Sequence, residues 1–420
     1  MRRRQFEAYL DKVFDWSARV AALPEGRQSL QHAWPKVFDS LFLGGAIQIP
    51  NLHRLEAECQ GGVLRQRIGK LSEDAMGYAL QRQEPTSLFS LGCEVARRLK
   101  RNGVLRSDWA RGRLVAAVDG IEICSSYVRC CKACLEREVE HQVDGILRKD
   151  TQYYHRIVAV VLVSSDFPVP LGLRFQRQGE DEVACALPLL QELDRQLGRR
   201  FLDVLVGDAF YLRSEFVQKV EKLQLDWVFT LKENQPELLA EAERLTAGPP
   251  QTTRSSFPQE EFRLWHAPET YWPAADRSLQ VVKTFRTQKK QRVALTPPGS
   301  PQKQKRTTEE VREESTNYYA SNLELGSIPP TFIHQLARSR WRIDTEVFQT
   351  LTTQAHLKRP SVHRTTALVV LTLIRVLAYT LSMVFYHRQV VSHSRQTPPP
   401  FSEMARLLGY LFLIPRLDSS

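Results

Sequence analysis

A chain of 420 residues with 42% hydrophobic content is long enough for two or three domains with ordinary buried cores, which excludes a disordered tail or a disulfide-stapled miniature. Its 58 Lys and Arg outweigh 47 Asp and Glu to give a net charge of +11, a balance that favours a polyanionic partner such as nucleic acid or an anionic membrane. The start, Met1-Arg2-Arg3-Arg4 followed by Gln5-Phe6-Glu7-Ala8, carries no apolar export segment, and seven Cys, an odd number, suit reduced thiols in an unexported chain.

Residues 1–112 read as a helical N-terminal domain. Leu52 to Leu80 mixes charged and apolar residues at helical spacing. Glu94 to Arg113 is dense in Arg97, Arg98, Lys100, Arg101, Arg106, Arg111 and Arg113, against Glu94 and Asp108. A basic helix of this kind tracks a phosphate backbone or forms a solvated face, and DNA binding is the expected role. No clean helix-turn-helix signature is present.

The texture changes at Leu114. Residues 113–247 alternate strand and helix patterns. Leu114-Val115-Ala116-Ala117-Val118 reads as a buried strand ending at Asp119, and Tyr154 to Val163 and Pro170 to Gln176 as two more. Val183 to Leu197 is an amphipathic helix, and Leu202 to Val206 a strand ending at Asp208. Ser214 to Leu223 reads as a helix, and Asp226 to Leu231 as a strand running into Lys232-Glu233-Asn234-Gln235. Together these predict an α/β fold, a mixed sheet flanked by helices.

Residues 248–325 interrupt this pattern. Gly248-Pro249-Pro250 opens the segment, and Glu261 to Trp265, Leu279 to Phe285 and Tyr318 to Leu323 are strand-like. Lys283 to Arg306 holds Lys283, Arg286, Lys289, Lys290, Arg292, Lys303, Lys305 and Arg306 with no acid among them. The segment predicts a β-rich insertion with a mobile basic loop. Residues 326–420 are helical again. Within them, Ala367 to Tyr386 has the length of a membrane span. Arg375 in its middle would be costly in lipid, so a core helix and no membrane partner are expected.

Two constellations carry chemistry. The first is a set of distant acids: Asp119 in Ala117-Val118-Asp119-Gly120, Asp208 in Gly207-Asp208-Ala209-Phe210-Tyr211, and Asp344 and Glu346 in Arg340-Trp341-Arg342-Ile343-Asp344-Thr345-Glu346. Carboxylates gathered from separate elements suit hard divalent cations, and paired metals serve in-line attack on a phosphodiester. Singly, each acid also reads as an ordinary turn, cap or ion-pair residue. The second constellation is Cys124, Cys130, Cys131 and Cys134. Cys131-Lys132-Ala133-Cys134 has the gap of a zinc knuckle, with His141 and His155 near in sequence. Structural zinc and buried reduced thiols are the two readings.

These motifs, in this order, resemble the DDE transposases of bacterial insertion sequences, the insertion-sequence-four type above all. The resemblance spans about Leu114 to Leu373 and rests on Asp119-Gly120, Gly207-Asp208-Ala209-Phe210-Tyr211, Leu231-Lys232-Glu233-Asn234-Gln235 and Arg340-Trp341-Arg342-Ile343-Asp344. It implies a ribonuclease-H-like core split by a β-rich insertion, with 326–420 completing it. It also implies Mg²⁺- or Mn²⁺-dependent cleavage and strand transfer at transposon ends, double-stranded DNA as partner, a homodimer on that DNA, and a bacterial, nucleoid-associated cytoplasmic location. Asp119 and Asp208 take the first two catalytic places. Arg340, Lys232, Lys289, Lys290 and Arg292 fall where DNA contacts are expected. The alternatives are a decayed, DNA-binding descendant and a ribonuclease-H-like nuclease that cuts without joining.

The third place departs from the family, which reads Arg-Trp-x-Ile-Glu where this chain has Asp344. Glu346 is the rival. On an α-helix turning about 100° per residue, Asp344 shares a face with Val347, Phe348 and Leu351, while Glu346 lies about 200° away. That geometry favours Asp344. In the related Tyr-x-x-Arg-x-x-x-Glu helix signature with its later Lys, Arg340 holds the Arg place, but Ala337 and Leu351 stand for Tyr and Lys.

Overall fold

A computed structural model describes residues 3–28, 31–62, 64–143, 146–257, 260–294, 307–324, 328–359, 361–394 and 397–413. The chain forms two compact units, Met1–Leu202 with Trp341–Ser420, and Asp203–Arg340.

The first unit begins with seven helices, α1 (Arg3–Phe14), α2 (Trp16–Ala21), α3 (Trp34–Ala46), α4 (Leu52–Gln60), α5 (Arg65–Ile68), α6 (Glu73–Arg82) and α7 (Pro85–Arg101). Their starts are chemically marked. Asn51 accepts the Arg54 N–H at 2.8 Å to cap α4, and Ser72 caps α6 with Glu73 and Asp74 in its first turn. Trp16, Trp34, Phe38 and Phe42 pack together in the core. The cationic stretch after Glu94 is partly consumed inside this unit. Arg98 pairs with Asp15, Arg97 with Glu94, and Lys100 Nζ donates to the carbonyls of Arg200 and Phe201 at 3.2 and 2.9 Å.

Strands β1 (Val115–Ser126), β2 (Leu135–Val143), β3 (Ile146–Leu162) and β4 (Val169–Phe175) follow, then α8 (Glu182–Leu197). β1 lies antiparallel along one edge of β3. β2 and β4 share the other edge, on its first and second halves. Asp119 is therefore not at the end of its strand. Gly120, Ile121 and Glu122 continue the ladder opposite Val158, Ile157 and Arg156, and β1 stops only at Ser126 after a bulge between Glu122 and Cys124.

The second unit holds β5 (Val204–Gly207), α9 (Ser214–Lys222), β6 (Asp226–Leu231), α10 (Pro236–Leu245), β7 (Thr252–Phe257), β8 (Glu260–Trp272), β9 (Arg277–Ala294), β10 (Thr307–Ser321) and α11 (Pro330–Ser339). β5 and β6 are parallel, as a strand-helix-strand crossover requires. β6, β10, β9, β8 and β7 then follow edge to edge, antiparallel throughout. Mixed strands flanked by helices make this the expected α/β class. The basic segment differs from the expected loop over its first half. Lys283 to Arg292 lie on β9, where Arg292 is in register with Glu309 of β10. Residues 295–306, including Lys303, Lys305 and Arg306, lie outside the described residues.

The chain returns to the first unit with a π-helical turn (Ile343–Phe348), α12 (Gln349–Thr353), α13 (Thr365–Phe385), a second π-helical turn (Tyr386–Val391) and α14 (Phe401–Leu413). α13 is long and apolar enough to cross a membrane, yet it is buried inside this unit against α3, α6 and α7. Arg375 survives burial because Pro50 O, His356 O and Ser361 Oγ accept from it at 3.1, 3.1 and 3.0 Å. Burial pushes its pKa down to about 10, so it stays charged at neutral pH.

Glu221 of α9 ties β6, β9 and the residue just past β10 in the second unit. It accepts from both Arg277 Nη atoms at 2.8 Å, from Trp227 Nε1 at 2.8 Å and from Asn322 Nδ2 at 3.1 Å. Burial pushes its carboxyl up, but the Arg277, Trp227 and Asn322 donors together hold it below the ordinary 4.5. A carboxyl depressed in the folded state contributes stability above its unfolded pKa, lost as the pH falls through the folded value. Glu221→Gln should therefore lower the urea midpoint clearly at pH 7, and the gap from the parent protein should shrink as the pH falls below about 4.5. A gap that is constant from pH 7 to pH 3 contradicts the network's role.

Candidate active site

Asp119 follows the fully buried run Val115-Ala116-Ala117-Val118, which leaves it no register freedom, and its own side chain is partly exposed. It sits opposite Ala159 of β3. Its Oδ1 accepts the Gly120 N–H at 2.8 Å. Gly120 is required by its neighbours: a Cβ there would collide with the Glu182 carboxylate and stand 2.9 Å from Arg156 Nε. Glu182, at the start of α8, is buried and ion-paired with Arg156 of β3. This acid beside the Asp119-Gly120 step was missed in the sequence, where the amphipathic helix was read from Val183.

Asp208 directly follows the buried β5. It caps a single 3-10 turn, Ala209–Tyr211, by accepting the Phe210 N–H at 2.8 Å. Tyr211 is fully buried against Phe216 and Phe229. Gly207 allows this approach, since an added Cβ would lie 3.0 Å from the Tyr211 ring. The Lys232-Glu233-Asn234-Gln235 motif clamps the same turn. Asn234 Nδ2 donates to Ala209 O at 2.7 Å, and Gln235 Nε2 to Leu212 O at 2.9 Å. Trp272 Nε1 in turn holds Gln235 Oε1 at 2.9 Å. The motif fixes the segment bearing Asp208 and leaves the Lys232 side chain exposed.

The third motif is not α-helical. Ile343–Phe348 is a π turn, with the Gln349 N–H reaching back five residues to Asp344 O. Hydroxyls of Thr345 and Thr350 back-bond to Trp341 O at 2.9 Å and Glu346 O at 2.7 Å, and the buried Tyr379 hydroxyl donates to Glu346 O at 3.3 Å. The turn packs against β1, the strand of Asp119. The widened turn replaces the 3.6-residue geometry expected from sequence, yet Ile343, Val347, Phe348 and Leu351 are all buried, while Asp344 and Glu346 are both partly exposed.

Arg342 separates the two acids. Its Nε and Nη2 hold Glu346 Oε1 and Oε2 at 2.7 and 3.0 Å. Nη1 donates to Val163 O and Ser165 O at 2.6 and 2.7 Å, and Nη2 to Asp166 O at 3.0 Å. Every guanidinium proton is thereby placed. Glu346 is committed to this bidentate pair.

Of the expected DNA contacts, Lys232 follows β6 and Arg340 ends α11, whereas Lys289, Lys290 and Arg292 lie on β9 with side chains outside the described residues. Two exposed aromatics flank acids: Phe210, 43% exposed beside Asp208 with Arg213 over its ring, and Trp341, 54% exposed three residues before Asp344. Among the cysteines, Cys131 and Cys134 converge with His155; Cys124 and Cys130 fall outside that cluster.

The model of the Transposase DDE domain family matches residues 140–381, more than half of the chain. The chain belongs to the DDE transposase family. The matched segment of this transposase includes Asp208, Asp344 and Glu346 and begins after Asp119. No curated protein matches it. Among solved structures, a cryo-EM structure of the piggyBac transposase synaptic complex with hairpin DNA is similar over 98% of this chain and 79% of that one, at 11% identity and a TM-score of 0.44. DDE transposases act on DNA and generally use divalent metal ions. The donor chemistry fits: Asp119, Asp208 and Asp344 are partly exposed oxygen donors, the class that Mg²⁺ and Mn²⁺ take.

Arg342→Lys tests the scaffold under the third motif. Lysine keeps the charge but cannot make the five-donor fork. The variant should lose about 1–3 kcal/mol by urea unfolding, because buried carbonyls lose their donors. Unchanged stability would show that the fork is dispensable.

Proposed function

We propose that this transposase cleaves DNA strands at insertion-sequence ends and joins them to target DNA, with Asp119, Asp208 and Asp344 as the catalytic carboxylates. The observation that carries the choice of third acid is the Arg342 fork. Glu346 has both oxygens engaged by a guanidinium that also binds three carbonyls. A carboxylate so paired is a positioning group, and a metal would have to displace Arg342 to use it. Asp344 stands on the same turn, against the strand of Asp119. Its side chain is one methylene shorter than the family's usual Glu, and the π turn resets the backbone beneath it.

Divalent ions held by these carboxylates supply activation of water or a 3′-hydroxyl and stabilisation of the leaving oxygen. The chain's own contribution is placement. Buried β1 and β5 fix two carboxylates, and Asn234 and Gln235 fix the turn after β5. The exposed Trp341 and Phe210 rings offer faces on which unpaired bases stack. Surface cations such as Lys232 meet phosphates. A homodimer on double-stranded DNA in the bacterial cytoplasm is the working assembly in this reading.

Strand cleavage on DNA carrying the element's ends, with Mg²⁺ or Mn²⁺, tests it. Asp119→Ala, Asp208→Ala and Asp344→Ala should each reduce cleavage by about 100-fold or more while DNA binding persists. Glu346→Ala should be much milder. A near-parental rate in any of the first three removes that residue from the site, and a reversed ranking of Asp344 and Glu346 transfers the role. Cleavage without joined product would favour a nuclease that only cuts.

A further inference from the structure

The cysteine cluster lies in the first unit and has no part in the chemistry above. Cys131 and Cys134 sit in the connection from β1 to β2, and His155 lies on β3 in register with Cys124 of β1. The two sulfurs are 3.6 Å apart, and His155 Nε2 is 3.3 Å from one and 3.4 Å from the other. Bonds of about 2.3 Å to sulfur and 2.0–2.1 Å to nitrogen place tetrahedral ligands about 3.8 Å apart for two sulfurs and about 3.5 Å for sulfur and nitrogen. The observed triangle is that of a tetrahedral zinc face, and a disulfide would need a far shorter sulfur separation.

The surroundings are built around this triangle. Cys131 and Cys134 close a tight turn through the Cys134 N–H to Cys131 O bond at 3.1 Å, and the Cys131 N–H donates to Cys134 Sγ at 3.1 Å. Thr365, first residue of α13, donates to Cys131 Sγ at 3.4 Å. Gln178 Nε2 holds Cys134 O at 2.7 Å. His155 is buried. A cavity of about 250 Å³ adjoins the triangle, lined also by Cys124, Cys130 and His363.

We propose that Cys131 Sγ, Cys134 Sγ and His155 Nε2 bind a zinc ion, with the fourth position opening on this cavity. The ion fastens the β1–β2 connection to the middle of β3 and to the start of α13. It thereby braces the far end of the strand that carries Asp119. Its role is positional, at a site separate from the carboxylates, and it stands whether or not strand transfer is the activity.

Metal analysis of the full-length protein, purified without chelator, should find about one zinc per chain, and X-ray absorption at the zinc edge should show two sulfur ligands and at least one nitrogen. The Cys131→Ser, Cys134→Ser double variant should retain less than about a tenth of an equivalent, and Cys59→Ser, Cys185→Ser the full amount. His155→Cys should keep the metal and move the cobalt-substituted spectrum toward a third sulfur. Absorption on the parent protein does not depend on any variant folding. Zinc below about a tenth of an equivalent with no uptake on addition overturns the site, as does a native Cys131–Cys134 disulfide or full retention in the double variant.

Discussion

Three main-chain carbonyls just past β3, those of Val163, Ser165 and Asp166, converge on one guanidinium. Arg342 brings it there on the segment by which the chain re-enters the first unit. The same fork grips Glu346, so one side chain both sets where the last acidic motif docks and engages one of its two acids. Much of the site depends on this. The π turn packs on β1 because it is anchored at the end of the neighbouring strand, and Thr350 and Tyr379 both donate to the Glu346 carbonyl of the widened turn. Such a fully donated Arg resists replacement by Lys for geometric reasons rather than for charge.

A second constraint is economy of the backbone around each acid. Gly120 makes room for the Arg156–Glu182 pair, and Gly207 makes room for Tyr211 and Phe229. Asp119 and Asp208 thus each have a glycine beside them for a steric reason. The net charge of +11 also overstates the free cationic surface. Arg98, Lys100, Arg277 and Arg375 are engaged in internal contacts.

The α/β class was legible because β1, β5 and β6 are short apolar runs beside an amphipathic helix, a pattern that survives without tertiary information. The extent of β1 was not. The Asp119-Gly120 step read as a candidate turn, and pairing with β3 carries the strand on through Glu122. The π turn was illegible to a 3.6-residue periodicity, although a Thr just after Trp341-Arg342-Ile343-Asp344 and another five residues on were a faint signal of hydroxyl back-bonding. Lys283 to Arg292 read as a loop through charge, while its strand character comes from β8 and β10 on either side. The knuckle was visible as Cys131 and Cys134, but choosing His155 over Cys124 and Cys130 needed the strand register.

The central claim is that Asp119, Asp208 and Asp344 hold the divalent ions. Replacing Mg²⁺ by Fe²⁺ and adding peroxide and ascorbate breaks the polypeptide beside each bound iron. The account predicts breaks clustered near residues 119, 208 and 344, suppressed by excess Mg²⁺ and abolished by Asp344→Ala but not by Glu346→Gln. Breaks confined to other segments, or a pattern that Asp344→Ala leaves intact and Glu346→Gln removes, would contradict it.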